Sequence, residues 1–304
     1  MVNEMEDAYF SEREGQVLPA HETQIGSIFW GGFVTLVEQR LRSGAFAESF
    51  PICCSDTGLP CDSDSEGLGR LFKAEIKSID WPLNSTSTPN TSDLLNAIEF
   101  FWRHVSQVFA HSGHSSPSWG FQHHHYISFD RSLGRKEYKN DVNRLLRRCA
   151  HPYLLDELGK AKRRLLPLVQ AVIRATQFRT SDSELDRLLC EACEKFESPD
   201  LVTQREALKR LWDAWERLKS LLLPSDKAES TKKLLDEFVQ EAQLREKVEE
   251  DARALTWIGN NLMIRHTEVN RPPIPKSEHV DYLSLRLLAL VSSILKSRGW
   301  IVSF

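Results

Sequence analysis

The stretch "TQREALKRLWDAWERLKSLLL", residues 203–223, sets the strongest limit on how this chain can fold. Leu208, Leu211, Trp212, Trp215, Leu218 and Leu222 recur at steps of three and four, which gathers them on one face of an α-helix. A helix with two tryptophans on its apolar stripe must bury that stripe against other elements. Suitable partners flank it. "FRTSDSELDRLLCEACEKF" opens with a Ser/Asp cap and has Glu184 just inside. After Pro224, a longer pattern runs from near Ser230 to about His266, with Gly259 as a candidate break. "RPPIPKSEH" interrupts the chain, and a final helix spans about Glu278 to Ser297. Four or five helices joined by short connections predict a helical bundle over residues 180–304.

Residues 1–179 read as a second, mainly helical domain of less regular design. The first twenty residues are polar and expected to be loosely held. A helix is predicted from Ile25 to Leu41, with Gly44 as its stop, followed by a turn-rich segment at 50–66 and a short helix from Gly67 to Ile79. Thr91 or Ser92 can cap a heavily apolar helix over 93–111. The Ser, Gly and Pro content of 112–122 predicts a surface loop. Another helix follows in "KEYKNDVNRLLRRC". "PYLLDELGKAKRR", with its turn at Gly159, is the one place where strand is expected. Leu165, Leu168, Val169, Val172 and Ile173 then form a helical stripe. The fold class is mainly α, with a small β-hairpin in the first domain.

A chain of 304 residues with net charge −4 has no overall basic field, so nucleic-acid binding requires a local patch. Arg147, Arg148, Lys160, Lys162, Arg163 and Arg164, beside Tyr153, concentrate around the expected hairpin. They can track an RNA backbone or form a solvated surface. "MVNEMEDAYFSEREG" lacks the apolar core of a signal peptide, and "YLSLRLLALVSSIL" contains Arg286 and is too short to span a bilayer. No membrane partner and a cytoplasmic location are expected. Six cysteines do not make a disulfide framework at this length. Cys190 and Cys193 form a CxxC with no second pair, on a helix where cysteine packs as a small apolar group. In an extended "HHH", His123 and His125 share one face and His124 takes the other. No cysteine or carboxylate partner for them is identifiable in the sequence, so the expectation is a partly exposed polar strand, with no metal and no cofactor. Neither a GxxxxGK[ST] loop, an HExxH nor a GxSxG occurs.

"WIGNNLMIRHTEVNR", residues 257–271, ends the longer helical pattern with a polar cluster. Steps of three or four back from His266 meet Leu262, Ile258, Leu255, Ala252 and Val248, so His266 continues the buried stripe. Asn261 and Arg265 are four apart on a neighbouring face. A histidine can shuttle the proton of a ribose 2′-hydroxyl, and an arginine beside it can hold the phosphate. No metal is needed for that chemistry. The structural alternative is equally concrete: Asn261 bonds a neighbouring helix and Arg265 satisfies the last carbonyls.

"ALKRLWDAWERLKSL", "LTWIGNNLMIRHTEVNRPPI" and "VDYLSLRLLALVSSIL" resemble the C-terminal part of bacterial abortive-infection proteins of the AbiJ type. "WGGFVTLVEQRLRSGAFAESFPICCSDT" and "FDRSLGRKEYKNDVNRLLRRCAHPYLLDELGKAKR" resemble the N-terminal domain that accompanies it. The resemblance implies a C-terminal domain similar to HEPN domains, which are helical bundles, commonly dimeric. Many are metal-independent endoribonucleases of phage defence and toxin systems. It therefore implies an antiphage ribonuclease acting on RNA, tRNA among the candidates, with Asn261, Arg265 and His266 in the site. A homodimer through the bundle and a regulatory protein or antitoxin are the implied partners. A catalytically inactive module that binds RNA or protein, or a dimerisation scaffold, is the alternative. The usual HEPN pattern sets an arginine four to six residues ahead of the histidine. In this chain Arg265 directly precedes His266, and the earlier positions hold Asn261, Asn260 and Gly259.

Overall fold

Two hydrophobic cores form, one in each of two units, Met1–Arg164 and Leu165–Phe304. The computed structural model describes Phe10 and residues 25–303, apart from 116, 119, 121, 166–168, 170–172, 174, 175, 263, 265–271 and 273. The expectations for most of the first twenty residues, for much of the stripe at 165–173, and for Arg265 and His266 lie outside the described residues.

In the first unit, helices α1 (Ser27–Arg42), α2 (Ser65–Glu75), α3 (Thr91–His104) and α4 (Arg131–Arg148) enclose an aromatic core. Phe101 lies at its centre, with ring centroids 5.4–6.0 Å from Phe33, Phe46, Phe72 and Phe100. Offset and edge-on aromatic pairs of this kind add to the burial of their area. Three of these helices begin at side-chain caps: Asp64, Asn90 and Asp130 each accept from a backbone N–H three residues on. Asn90, rather than Thr91 or Ser92, caps α3, because the Thr91 hydroxyl accepts from the Ile25 N–H at 3.1 Å.

The strand content of this unit corrects the expectation of a single hairpin. The expected one forms, with β5 (Tyr153–Leu155) antiparallel to β6 (Ala161–Arg163). Two more precede it: β1 (Pro51–Cys53) with β2 (Pro60–Ser63), and β3 (Gln107–Ser115) with β4 (Gln122–Asp130). The helix expected over 93–111 stops at His104. Ser106 donates to the Ala45 carbonyl through both its N–H (2.8 Å) and its hydroxyl (3.2 Å), and this holds the chain extended where helical periodicity would have continued it. The segment read as a loop, 112–122, accordingly supplies the end of β3.

In the second unit β7 (Thr176–Phe178) pairs antiparallel with β8 (Ile301–Ser303). That pairing ties residues 176–178 to the C-terminal part, so the boundary falls at Arg164/Leu165 rather than at 179/180. Among the described residues, five helices follow β7: α5 (Ser183–Phe196), α6 (Leu201–Leu218), α7 (Lys227–Phe238), α8 (Ala242–Asn261) and α9 (Ser277–Ser297). The stripe of α6 is buried as its periodicity predicts, with Trp212, Trp215 and Leu218 fully enclosed. The long pattern from Ser230 is two helices. It breaks at Val239 and Gln240, where Val239 is extended and Glu241 caps α8, and not at Gly259. Gly259 is helical because the Trp212 indole packs against it: a Cβ there would stand 1.9 Å from Trp212 Nε1. Among the described residues, no helix is long and apolar enough to cross a membrane.

Two predictions follow from this packing. Trp212 is fully buried and cannot swing aside, so Gly259→Ala should destabilise the second unit by about 1–3 kcal/mol despite the better helix propensity of alanine. The check is the urea midpoint read by tryptophan fluorescence. Asp182 caps α5 and accepts a bidentate pair from Arg217 at 2.6 and 2.7 Å; that pair, joined by the backbone N–H of Leu185, holds its carboxyl below the usual value against the opposing effect of burial. A depressed carboxylate contributes stability above its unfolded pKa and loses it as pH falls through the folded one. Asp182→Asn keeps the cap but not the charge. It should flatten the stability loss below about pH 4, by about 1 kcal/mol or less because Arg217 is largely solvated.

Candidate functional site

Among the described residues, three groups of side chains stand out for their chemistry, each within its own unit. The first is the end of α8. Asn260, Asn261 and Trp257 border an open groove whose other walls include Trp215, Lys219, Lys227 and Arg253. Trp257 is 62% exposed, unusual for a tryptophan. Asn261 is exposed, and its carboxamide donates to the Trp257 carbonyl at 2.8 Å, one turn back. The helix ends there, short of the expected end at His266, because Leu262 turns extended. The buried stripe of α8 is as predicted: Ala252 and Leu255 are enclosed, and Val248, Ile258 and Leu262 pack on the same core. Of the three expected site residues, Asn261 is placed on the groove; Arg265 and His266 lie outside the described residues.

The wall of the groove holds a buried charge cluster that sequence reading did not single out. Glu216 accepts from Lys219 at 2.8 Å and also pairs with Lys227. Burial opposes the charge on Glu216, but the hydrogen bonds from the two lysines outweigh it and hold the carboxyl below its usual range. Lys219 also donates to Thr256 on α8 at 3.2 Å and lies 5.3 Å from the Trp215 ring centroid. One ammonium therefore ties α6 to α8 directly beneath the groove.

The second group is the basic segment of the first unit. Its members differ in burial and in pairing. Lys160 pairs with Glu99 at 3.5 Å and Lys162 with Asp156 at 3.4 Å. Arg163 is buried in β6, opposite Tyr153, while Arg148 and Arg164 are exposed and Arg147 is half-buried. Part of the expected RNA track thus neutralises acidic groups of its own unit, and Arg163 is an interior residue.

The third group is the histidine run. The β3–β4 register pairs His114 with His123, Ser112 with His125 and His111 with Tyr126. His123 and His125 share a face, as alternation predicts, and His124 lies on the other, with its ring 5.4 Å from His111. The segment is the partly exposed strand that was expected, and the cysteine partner not identifiable in the sequence comes from the turn after β1. His125 is buried, and so is Cys54, in the turn after β1. Cys54, His114, His123 and His125 each offer a ligating atom within 4.8 Å of the others. His123 Nε2 and His125 Nε2 are 3.1 Å apart, and the His114 and His125 rings stack at 4.5 Å. Burial, followed by the neighbouring imidazoles of His114 and His123, pushes the His125 imidazole down from its ordinary pKa, favouring its neutral form. Sequence reading missed Cys54 and His114 because nothing in the spacing announces the register that sets His114 across from His123. The available signal was the His-x-His alternation together with "ICCSD" in a turn-rich segment.

By contrast, the two cysteines of the CxxC on α5 part company, Cys190 exposed and Cys193 half-buried. Cys193 packs on the core, and burial pushes its thiol up to about 12. Removing the charge at Glu216 takes from Lys219, only 5% exposed, the carboxylate to which it donates at 2.8 Å. Glu216→Gln is expected to cost roughly 3 kcal/mol in chemical denaturation, and Lys219→Met in the same background should recover part of that loss. Comparison of the chain with family models, curated proteins and solved structures found no match.

Proposed function

We propose that this protein is an abortive-infection ribonuclease, with a HEPN-like C-terminal bundle that cleaves RNA without a metal through Asn261, Arg265 and His266. The observation that carries the proposal is the groove at the end of α8. It brings Asn260, Asn261 and an exposed Trp257 beside Lys219, Lys227 and Arg253, immediately before "LMIRHTEVNR" in the chain. A solvated indole offers a stacking platform for an unpaired base, and the neighbouring asparagine amides can bond to it; the groove's cations are matched by Glu216, Asp226, Glu229 and Glu249, so stacking is what carries the contact. In this reading His266 moves the proton of the 2′-hydroxyl or the leaving oxygen, and Arg265 bears the charge that gathers on the phosphate. Asn261 positions the phosphate or ribose. The resemblance to AbiJ-type proteins supports the same assignment, a homodimer through the bundle, and a regulatory protein or antitoxin as partner.

A second reading is favoured by the use already made of Asn261. Its carboxamide donates to the Trp257 carbonyl at the helix end, as a purely structural asparagine would, and this suits a bundle that binds RNA or protein without cutting it.

The test is incubation of the purified full chain with total RNA and tRNA in the presence of a chelator. Cleavage that falls at least a hundredfold in His266→Ala and in Arg265→Ala, with the helical circular dichroism unchanged, is the expected result. Trp257→Ala should weaken RNA binding by roughly tenfold without loss of stability, because the side chain is largely solvated. RNA bound but left intact by the wild-type chain would establish the second reading in its RNA-binding form, and neither binding nor cleavage would remove every RNA-directed reading.

A further inference from the structure

We propose that Cys54, His114, His123 and His125 bind a single zinc ion as a closed structural site that staples the turn after β1 to both strands of the β3–β4 hairpin. The donor set is the first argument. One sulfur and three imidazoles make a complete tetrahedral shell for zinc, and four protein ligands leave no open position for a substrate. The site is therefore assigned a structural role, independent of the metal-free chemistry proposed for the other unit.

Geometry is the second argument. Two nitrogens at ~2.05 Å from a tetrahedral ion stand about 3.3 Å apart, and a nitrogen and a sulfur roughly 3.6 Å. The Nε2 atoms of His123 and His125 stand at 3.1 Å, and all four donors lie within 4.8 Å of one another, so small side-chain rotations complete the shell. The backbone already holds the ligands in register. His114 and His123 are direct cross-strand partners, and His125 is two residues along the same face. Cys54 is fixed in its turn by an N–H bond to the Leu59 carbonyl at 2.8 Å and by accepting from Gly58 N–H at 2.8 Å.

The surroundings are the third argument. Ligating histidines commonly donate their second N–H to a carboxylate. His114 Nε2 lies 3.4 Å from an Asp56 carboxylate oxygen, and Asp56 in turn accepts from Ser118. With Nε2 donating to Asp56, His114 keeps its lone pair on Nδ1. Two of the four ligands, Cys54 and His125, are buried, which suits a closed site. On binding, the Cys54 S–H gives its proton to solvent, the thiolate and three neutral imidazoles each donate an electron pair, and no redox change is involved.

A zinc tie here closes a loop that runs from Cys54 to His114, across α2 and α3, and pins a hairpin whose own edges are largely solvated. The test uses the full chain. Metal analysis after desalting should give about one zinc per chain. Replacement by cobalt should produce the strong visible bands of a tetrahedral ion and a sulfur-to-cobalt charge-transfer band in the near ultraviolet. Cys54→Ser should abolish the charge-transfer band, and the double variant Cys54→Ser/His125→Ala should lose the metal. His124→Ala and Cys53→Ser, which alter neighbouring residues outside the set, should keep it. A wild-type chain that retains no zinc, a cobalt form without the sulfur band, or a double variant that holds zinc as well as the wild type would each overturn the proposal. Should the ligand variants fail to fold, the cobalt spectrum of the wild-type chain decides the question by itself.

Discussion

Ser106 donates twice to the Ala45 carbonyl, and the backbone of Gly134 lies against it so closely that a Cβ at Gly134 would stand 2.4 Å from the Ser106 carbonyl carbon. At this point an apolar helix gives way to strand, and the geometry of the first unit depends on where the change occurs. One more helical turn would rotate Val108 and His111 around a helix axis; the extended backbone instead starts β3 and opens the register with β4. The small residues are what permit it. Ser106 fits beneath α4 because Gly134 has no side chain, and the two bonds to Ala45 satisfy backbone groups that would otherwise be buried unpaired. His114 lies across from His123 as a downstream result of that one transition.

The second unit rests on a similar close approach. The Trp212 indole lies against Gly259, so α6 and α8 meet there with no side chain of α8 between them. With the helices at that separation, Lys219 reaches both Glu216 and Thr256, and the groove above is lined by residues from both helices and from α7. The buried carboxylate of Glu216 offsets the cost of burying the Lys219 ammonium. The RNA-cleavage proposal draws on this groove, and the zinc proposal on the first unit; the two rest on different residues and different chemistry.

Much of the architecture was legible in advance. Period-3.6 patterning located helices near 27–42, 183–196, 201–218 and 277–297, and the buried side of α8 down to Leu262. Errors clustered where propensity was ambiguous. The apolar run through 93–111 suits either a helix or a strand after His104, and only the bonds to Ala45 decide between them. Gly259 carried the signature of a helix break but is retained for a packing reason, while the actual break, at Val239 and Gln240, carries no glycine or proline. Among the candidate sites, alternation correctly divided His124 from His123 and His125. The basic segment looked continuous in sequence, yet Lys160 pairs with Glu99 of α3, Lys162 pairs with Asp156 of its own hairpin, and Arg163 is buried.

By itself, the sequence determined that this is a mainly helical chain, that its C-terminal part packs around two tryptophans, and that a helix with a buried stripe leads up to the polar cluster before "RPPIPK". These features follow from local periodicity and the need to bury an amphipathic face, which are properties of contiguous residues. Tertiary structure alone decided which cysteine meets the histidine run. Cys54 and His114 are separated by two helices, and a cross-strand register is a relation between segments that carries no local mark in either one.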